Sequence, residues 1–235
     1  MKYFTKKFNT PGELNAEFKG VRKLEQFVRT PEIVEVKELE IHYEFIRQGK
    51  PDFKKAGEEL FKLHQVSNEF FGLNEDNFIG KGIQINTPEN DCKSFYLKHR
   101  IGVQVARLRD QKIQKIMNEV VIHLEDSWWP NCTRPSLCHG DLWSGNLLFD
   151  EFSNPVFIDP AIYFGDPLSD LAMASLFGGF PDEFFSSYTS ESNLTLDRLD
   201  ILVYQLYHSL NHVNIFGASY NSMVINHANE INSLL

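Results

Sequence analysis

The 235-residue chain is short of several things, and each shortage removes a class of function. It has three cysteines, Cys92, Cys132 and Cys138, an odd number without the C-x-x-C spacing that chelates zinc or shuttles electrons. A disulfide scaffold is therefore not expected, and a reducing, cytoplasmic setting is. No apolar run reaches the length of a membrane span, and the opening MKYFTKKFN lacks a signal-peptide core, so no membrane partner is expected. The 23 Lys and Arg are outnumbered by 32 Asp and Glu, for a net charge of -9, and never form a run of five or six. That leaves no positive field to hold nucleic acid. Internal repeats and low-complexity segments are also missing. In such a setting the N-x-T sequons at Asn131 and Asn193 read as chance matches.

What is present is core material. At 42% hydrophobic residues, 20 of them Phe, the chain can fill one large domain or two small ones, which excludes disorder as its main state. Residues 2–8, KYFTKKF, read as a strand ended by the turn N-T-P-G. Apolar side chains at Leu14, Phe18, Val21, Leu24 and Val28 then recur at spacings of three and four, predicting a helix over 13–28. A strand-rich stretch over 33–46 closes on the turn Gln48 to Pro51. Beyond it the pattern predicts helices over 53–64 and 95–124, with a Gly- and Asn-rich loop over 71–91 between them. The expected fold is α+β and two-lobed: a small strand-rich lobe over 1–46 and a large helical lobe over 47–235.

The chemistry concentrates in LCHGDLWSGNLLFDEFSNPVFID, residues 137–159. His139-Gly140-Asp141 stands five residues ahead of Asn146, two short apolar runs follow, and the segment ends on Asp159. In kinases, H-x-D-x-x-x-x-N supplies an Asp that accepts the proton of the substrate hydroxyl and an Asn that ligates magnesium; a second Asp then grips the metal. The spacing assigns Asp141 as catalytic base and Asn146 and Asp159 as ligands of Mg²⁺ bound to ATP. A hairpin of the two apolar runs would bring Asn146 and Asp159 together, as hard oxygen donors require. Turn chemistry alone explains Gly140 and Gly145 but does not require His, Asp and Asn at these intervals. A kinase also needs a strand lysine held by a helix glutamate, and Lys6 and Glu17 are the expected nucleotide-binding pair. Lys7 must face the other way.

Other residues carry weaker signals. Trp143, between the base and the metal Asn, is expected to face the sugar of a substrate, and His139 is a second candidate substrate contact. Asp170 is expected to cap the next helix or brace the loop before it. His208 and His212, four apart, are read as hydrogen-bonded helix residues rather than metal ligands. Phe177, Phe180, Phe184 and Phe185 are read as core. Gly80-Lys81-Gly82 lacks the frame of a phosphate loop.

Over nearly its whole length the chain resembles the fructosamine (ketosamine) kinase family, relatives of the aminoglycoside phosphotransferases with a protein-kinase-like fold. The resemblance rests on LCHGDLWSGN (137–146), FIDPAIYF (157–164), DLAMASLFGGF (170–180) and YQLYHSLNHVNIFG (204–217), with AEFKGVRKL (16–24), LFKLH (60–64) and DNFIGKGIQIN (76–86) in support. It implies transfer of the ATP γ-phosphate to the third-carbon hydroxyl of a ketosamine, carried by a small amine or a glycated protein lysine. The phosphorylated adduct would then break down, a deglycating repair. Two departures stand out. Family members carry upstream strands and a Gly-rich loop over the nucleotide, whereas Met1 here directly precedes the lysine strand. That predicts a truncated small lobe with an open sheet edge at 2–8, weak ATP binding and slow turnover. Where the family has Gly-His/Asp-Arg-Glu, this chain has Gly165-Asp166-Pro167-Leu168. The alternatives are a catalytically weak or inactive kinase fold and a phosphotransferase for another hydroxyl, such as an aminoglycoside or choline.

Overall fold

The computed structural model describes residues 2–192 and 194–235; the sequon at Asn193 lies outside them. Strand β1 (Tyr3–Lys7) leads through Thr10 into helix α1 (Pro11–Leu24). Thr10 and Glu13 form a capping box, with Pro11 placed where its missing N–H costs nothing. The helix stops at Leu24, four residues before the predicted end, and Val28 packs from the turn beyond. Strands β2 (Ile33–Lys37) and β3 (Glu40–Glu44) complete an antiparallel sheet of order β1-β3-β2, with β1 and β2 at its edges. Val21 on α1 packs with Ile33, Ile41 and Tyr43 on the sheet, a small core of its own.

The segment after β3 is pinned to the second lobe. Gly49 N–H donates to the carbonyl of Phe149 at 2.9 Å, and Gln48 bridges Asp150. A Cβ on Gly49 would fall 2.2 Å from the Asp150 carbonyl oxygen, so only glycine permits this approach. A second pin joins the turn after α1 to the same hairpin, where Phe157 N–H donates to the Arg29 carbonyl at 2.9 Å.

Helix α2 (Phe53–His64) matches its predicted range, capped by Asp52. The predicted loop over 71–91 instead contains a hairpin, β4 (Asn77–Ile79) and β5 (Gly82–Gln84), turning at Gly80-Lys81. The single helix predicted over 95–124 is interrupted. Helix α3 (Cys92–Phe95), a π-helical stretch (Tyr96–Gly102) and α4 (Val103–Ala106) end at 107–110, where Asp110 caps a new helix, α5 (Gln111–Ser127). Apolar spacing runs through the break because both sides pack on one core, which conceals it from periodicity.

Four three-residue strands follow. β6 (Ser136–Cys138) pairs with β9 (Tyr163–Gly165), and β7 (Leu147–Phe149) pairs with β8 (Pro155–Phe157). Helices α6 (Leu168–Leu176), α7 (Asp182–Glu191), α8 (Arg198–Phe216) and α9 (Asn221–Leu234) complete the large lobe, with α7 against α2 and α8 between α6 and α9. The fold is the α+β, two-lobe, kinase-like architecture. No helix among the described residues is long and apolar enough to cross a membrane.

Candidate active site

The β7–β8 hairpin organises the site. Ile158 N–H donates to the Asn146 carbonyl at 3.0 Å, which sets Asn146 and Asp159 side by side at the hairpin mouth. Asp159 adopts a left-handed conformation, φ 55°, one that Asp tolerates better than most residues. Lys6 reaches down from β1 to pair with Asp159 at 3.0 Å and with Glu17 on α1 at 2.9 Å. Lys7 points away and pairs with Glu40. Buried Glu17 also accepts the Tyr43 hydroxyl at 3.0 Å. Burial lowers the Lys6 pKa, but Glu17 and Asp159 outweigh it and hold the ammonium above its usual range.

Asp141 stands below this pair on the loop after β6. Asn146 Nδ2 donates to the Asp141 carbonyl oxygen at 2.8 Å and to its Oδ2 at 3.2 Å, which fixes the carboxylate and leaves the side-chain oxygen of Asn146 as the atom free to meet a metal. Burial, then the charge of Asp159, pushes the Asp141 pKa up to about 7. The preceding Gly140 has φ 84°, and a Cβ there would meet the Ala161 carbonyl oxygen at 2.0 Å. Asp170 braces the same loop, accepting from His139 N–H at 2.6 Å and Gly140 N–H at 2.9 Å while His64 holds it from behind. It sits inside the first turn of α6 and does not cap it.

The His139 ring is turned inward. It is fully buried, with Nε2 on the Ile158 carbonyl at 2.9 Å, so its position supports the hairpin rather than a substrate. Trp143, by contrast, is 42% exposed.

Three cavities meet around Asp141 and Asp159. The first, about 440 Å³, lies between the sheet and the hairpin and is lined by Val21, Tyr43, Leu148 and Ile158, with the chain from Glu44 to Gln48 along one edge. It suits a flat apolar ring. The second, about 230 Å³, holds Lys6, Glu17, Asp141 and Asp159 and is bounded by Gly80 and Lys81. The third, again about 440 Å³, opens from Asp141 and Trp143 onto Phe177, His212, Phe216 and Tyr220. These rings pack together: Phe177 on His212 at 4.8 Å, and His212 on Tyr220 at 5.0 Å between centroids. Phe177 is thus a cavity wall at 39% exposed, while Phe184 and Phe180 are core as expected. His208 is buried beside the rings with its Nδ1 unpartnered, contrary to the expected hydrogen-bonded ring, whereas His212 Nδ1 donates to the His208 carbonyl at 2.8 Å.

The first cavity, the Gly80-Lys81 turn and the walls at Phe216 and Tyr220 were not legible as a site in the sequence. The run IHYEFI marked a strand, with nothing to show that its end faces Leu148. Residues that meet here from positions 4 to 220 carry no shared spacing.

Residues 2–233 match the family profile described as fructosamine kinase. The chain belongs to the fructosamine kinase family. It is 37% identical over 227 residues to a probable ketoamine kinase of Enterococcus faecium, covering 91% of this chain and 80% of that protein. A probable ketoamine kinase of Lactiplantibacillus plantarum is 33% identical over 219 residues, 88% of this chain and 78% of that one. The crystal structure of a provisionally named fructosamine-3-kinase from Thermobifida fusca superimposes with a TM-score of 0.87 at 28% identity, over 98% of this chain and 85% of that chain. Family membership brings with it an ATP-dependent kinase mechanism.

Proposed function

We propose that the protein transfers the γ-phosphoryl group of ATP to the third-carbon hydroxyl of a ketosamine, the first step of a deglycating repair. One observation carries this reading beyond family membership: Asp141 belongs to two cavities at once, the charged one that holds Lys6 and Asp159 and the aromatic one that opens on Trp143. A base placed there can touch a phosphate on one side and a hydroxyl on the other.

In this reading the lobe over 1–46 covers the nucleotide and the lobe over 47–235 carries the catalytic loop and the acceptor site. The adenine ring occupies the apolar cavity under Tyr43 and above Ile158. Lys6, positioned by Glu17, binds the phosphates. The donor set at the hairpin mouth fits Mg²⁺: Asp159 would offer a carboxylate and Asn146, whose Nδ2 is bound to Asp141, its side-chain carbonyl oxygen. Bound there, Mg²⁺ would neutralise triphosphate charge. Asp141 accepts the proton of the acceptor hydroxyl as its oxygen bonds to the γ-phosphorus, the bond to the ADP oxygen breaks and ADP departs. A base near pH 7 matches that task. Trp143 and the rings of the third cavity take the apolar face of the sugar and the amine that bears it, whether a small molecule or a glycated protein lysine.

The test is direct. The full chain, incubated with Mg-ATP and a fructosamine, should release ADP and yield a sugar product heavier by one phosphate. Equal or faster turnover of choline or an aminoglycoside would replace the ketosamine reading with the broader phosphotransferase one.

A further inference from the structure

The three cysteines are all free, and their sequence positions gave no reason to pair any two. The fold nevertheless brings two of them together. Cys92 opens α3, and Cys132 lies in the irregular loop between α5 and β6. Their sulfurs and a carboxylate oxygen of Asp166 all lie within 4.8 Å of one another. Cys92 is 3% exposed, packed against Phe71, Phe95 and Tyr163, whereas Cys132 is only partly buried at the margin of that cluster. The two thiols thus divide into one that solvent reaches and one behind it.

Neither sulfur is committed to a strong partner. Cys132 Sγ donates to the Arg134 carbonyl at 3.5 Å, and Cys92 Sγ lies 3.7 Å from the Tyr204 hydroxyl, itself bound to Asp166 at 2.6 Å. A disulfide needs the sulfurs about 2 Å apart. Closing the remaining distance takes a side-chain rotation and a small shift of a loop that belongs to no helix or strand. The neighbouring Cys132 thiol, then burial, holds the Cys92 thiol well above its usual pKa, and the more accessible Cys132 meets an oxidant first.

We infer that Cys92 and Cys132 are an oxidation site, closing to an intramolecular disulfide when a peroxide reacts at Cys132. The Cys132 thiolate attacks hydrogen peroxide: a sulfur–oxygen bond forms, the O–O bond breaks, and the hydroxide released takes the thiol proton as water. The sulfur is oxidised to a sulfenic acid and the peroxide is reduced. Cys92, deprotonating, then attacks that sulfur; the S–S bond forms, the S–O bond breaks, and a second water leaves. The product ties the 128–135 loop to the start of α3, beside Asp166. Asp166 in turn accepts from Leu168 N–H at the start of α6, the helix that carries Asp170.

The cross-link closes a loop of roughly 40 residues, for which a rise in Tm of about 5–15 °C is expected, reversed by dithiothreitol. Purified full-length protein, treated with a small excess of hydrogen peroxide, is alkylated under denaturing conditions, weighed intact and mapped without reduction. The expected result is a loss of two hydrogens, a peptide pair joining Cys92 to Cys132, and one alkylated thiol, Cys138. Cys132→Ser and Cys92→Ser should each abolish the cross-link and the Tm rise. Sulfinic acid at Cys132 without a cross-link, dimers joined through Cys132, or pairing with Cys138 would each overturn the assignment. So would one tightly held zinc per chain that Cys132→Ser releases. Each outcome is read without the kinase assay, so it stands or falls apart from the ketosamine reading.

Discussion

Asp170 accepts the backbone N–H groups of both His139 and Gly140, so a carboxylate on α6 fixes the loop that ends at Asp141 without reaching the ligand cavities itself. Replacing it with Ala strands two buried donors and releases His64, an expected loss of about 3 kcal/mol or more of stability. Asp170→Asn keeps one acceptor oxygen and should cost less. Urea unfolding of both variants checks the order; equal stability of Ala and wild type would dismiss the brace.

Asp141→Asn should leave folding and nucleotide binding nearly intact while ketosamine phosphorylation falls by roughly two orders of magnitude or more. A variant with over half the wild-type rate would remove Asp141 from the reaction.

Asn146→Ala and Asp159→Ala are expected to abolish Mg²⁺-dependent nucleotide binding, since each removes a hard oxygen donor. Titration calorimetry with Mg-ATP reads this, and unchanged affinity in both would place the metal elsewhere.

Tyr220→Ala and Phe177→Ala open the aromatic wall of the third cavity. Loss of about 1 kcal/mol of ring contact predicts a roughly fivefold higher KM for the ketosamine, with KM for ATP unchanged. A matched change in both constants would point to damage of the fold instead.

The fifth test is of pH. Burial raises the Asp200 pKa to about 6, although the Trp128 indole N–H donates to it at 2.6 Å. A raised carboxylate pKa favours the protonated folded state, so this contribution is complete below about pH 4 and lost as pH rises through 6. Asp200→Asn escapes the loss. At pH 8 it should be more stable than wild type by about 1 kcal/mol, allowing for solvent screening at a half-buried site, and the gain should vanish near pH 4. A gain independent of pH would reject the cause.

Legibility in the sequence followed the range of the interactions concerned. Helix α2 was readable because its apolar face lies within one short window. The β4–β5 hairpin was not, because three-residue strands are too short to show alternation. In the site, the spacing of Asp141, Asn146 and Asp159 is local and survived into three dimensions as the mouth of one hairpin. Strand alternation required that only one of Lys6 and Lys7 enter the cleft, while the contact of Lys6 with Asp159 crosses between lobes and had no signal in the sequence. The burial of His139 was not readable because a sequence does not say which side of a loop a ring takes. Phe177 was counted as core because composition cannot separate a packed ring from a cavity wall.

The small sheet is fastened to the rest of the chain at the Arg29 carbonyl and at the Gly49 amide, and both fastenings land on the same hairpin. Lys19 adds an ion pair with Glu75, and Gly20 packs against Pro160. Backbone and side-chain attachments together hold the sheet over the hairpin. That hairpin also presents Asn146 and Asp159 at its mouth. The hydrogen bonds that hold the small sheet and the donors that meet Lys6 thus share one hairpin, so a change that loosens β7–β8 disturbs both at once.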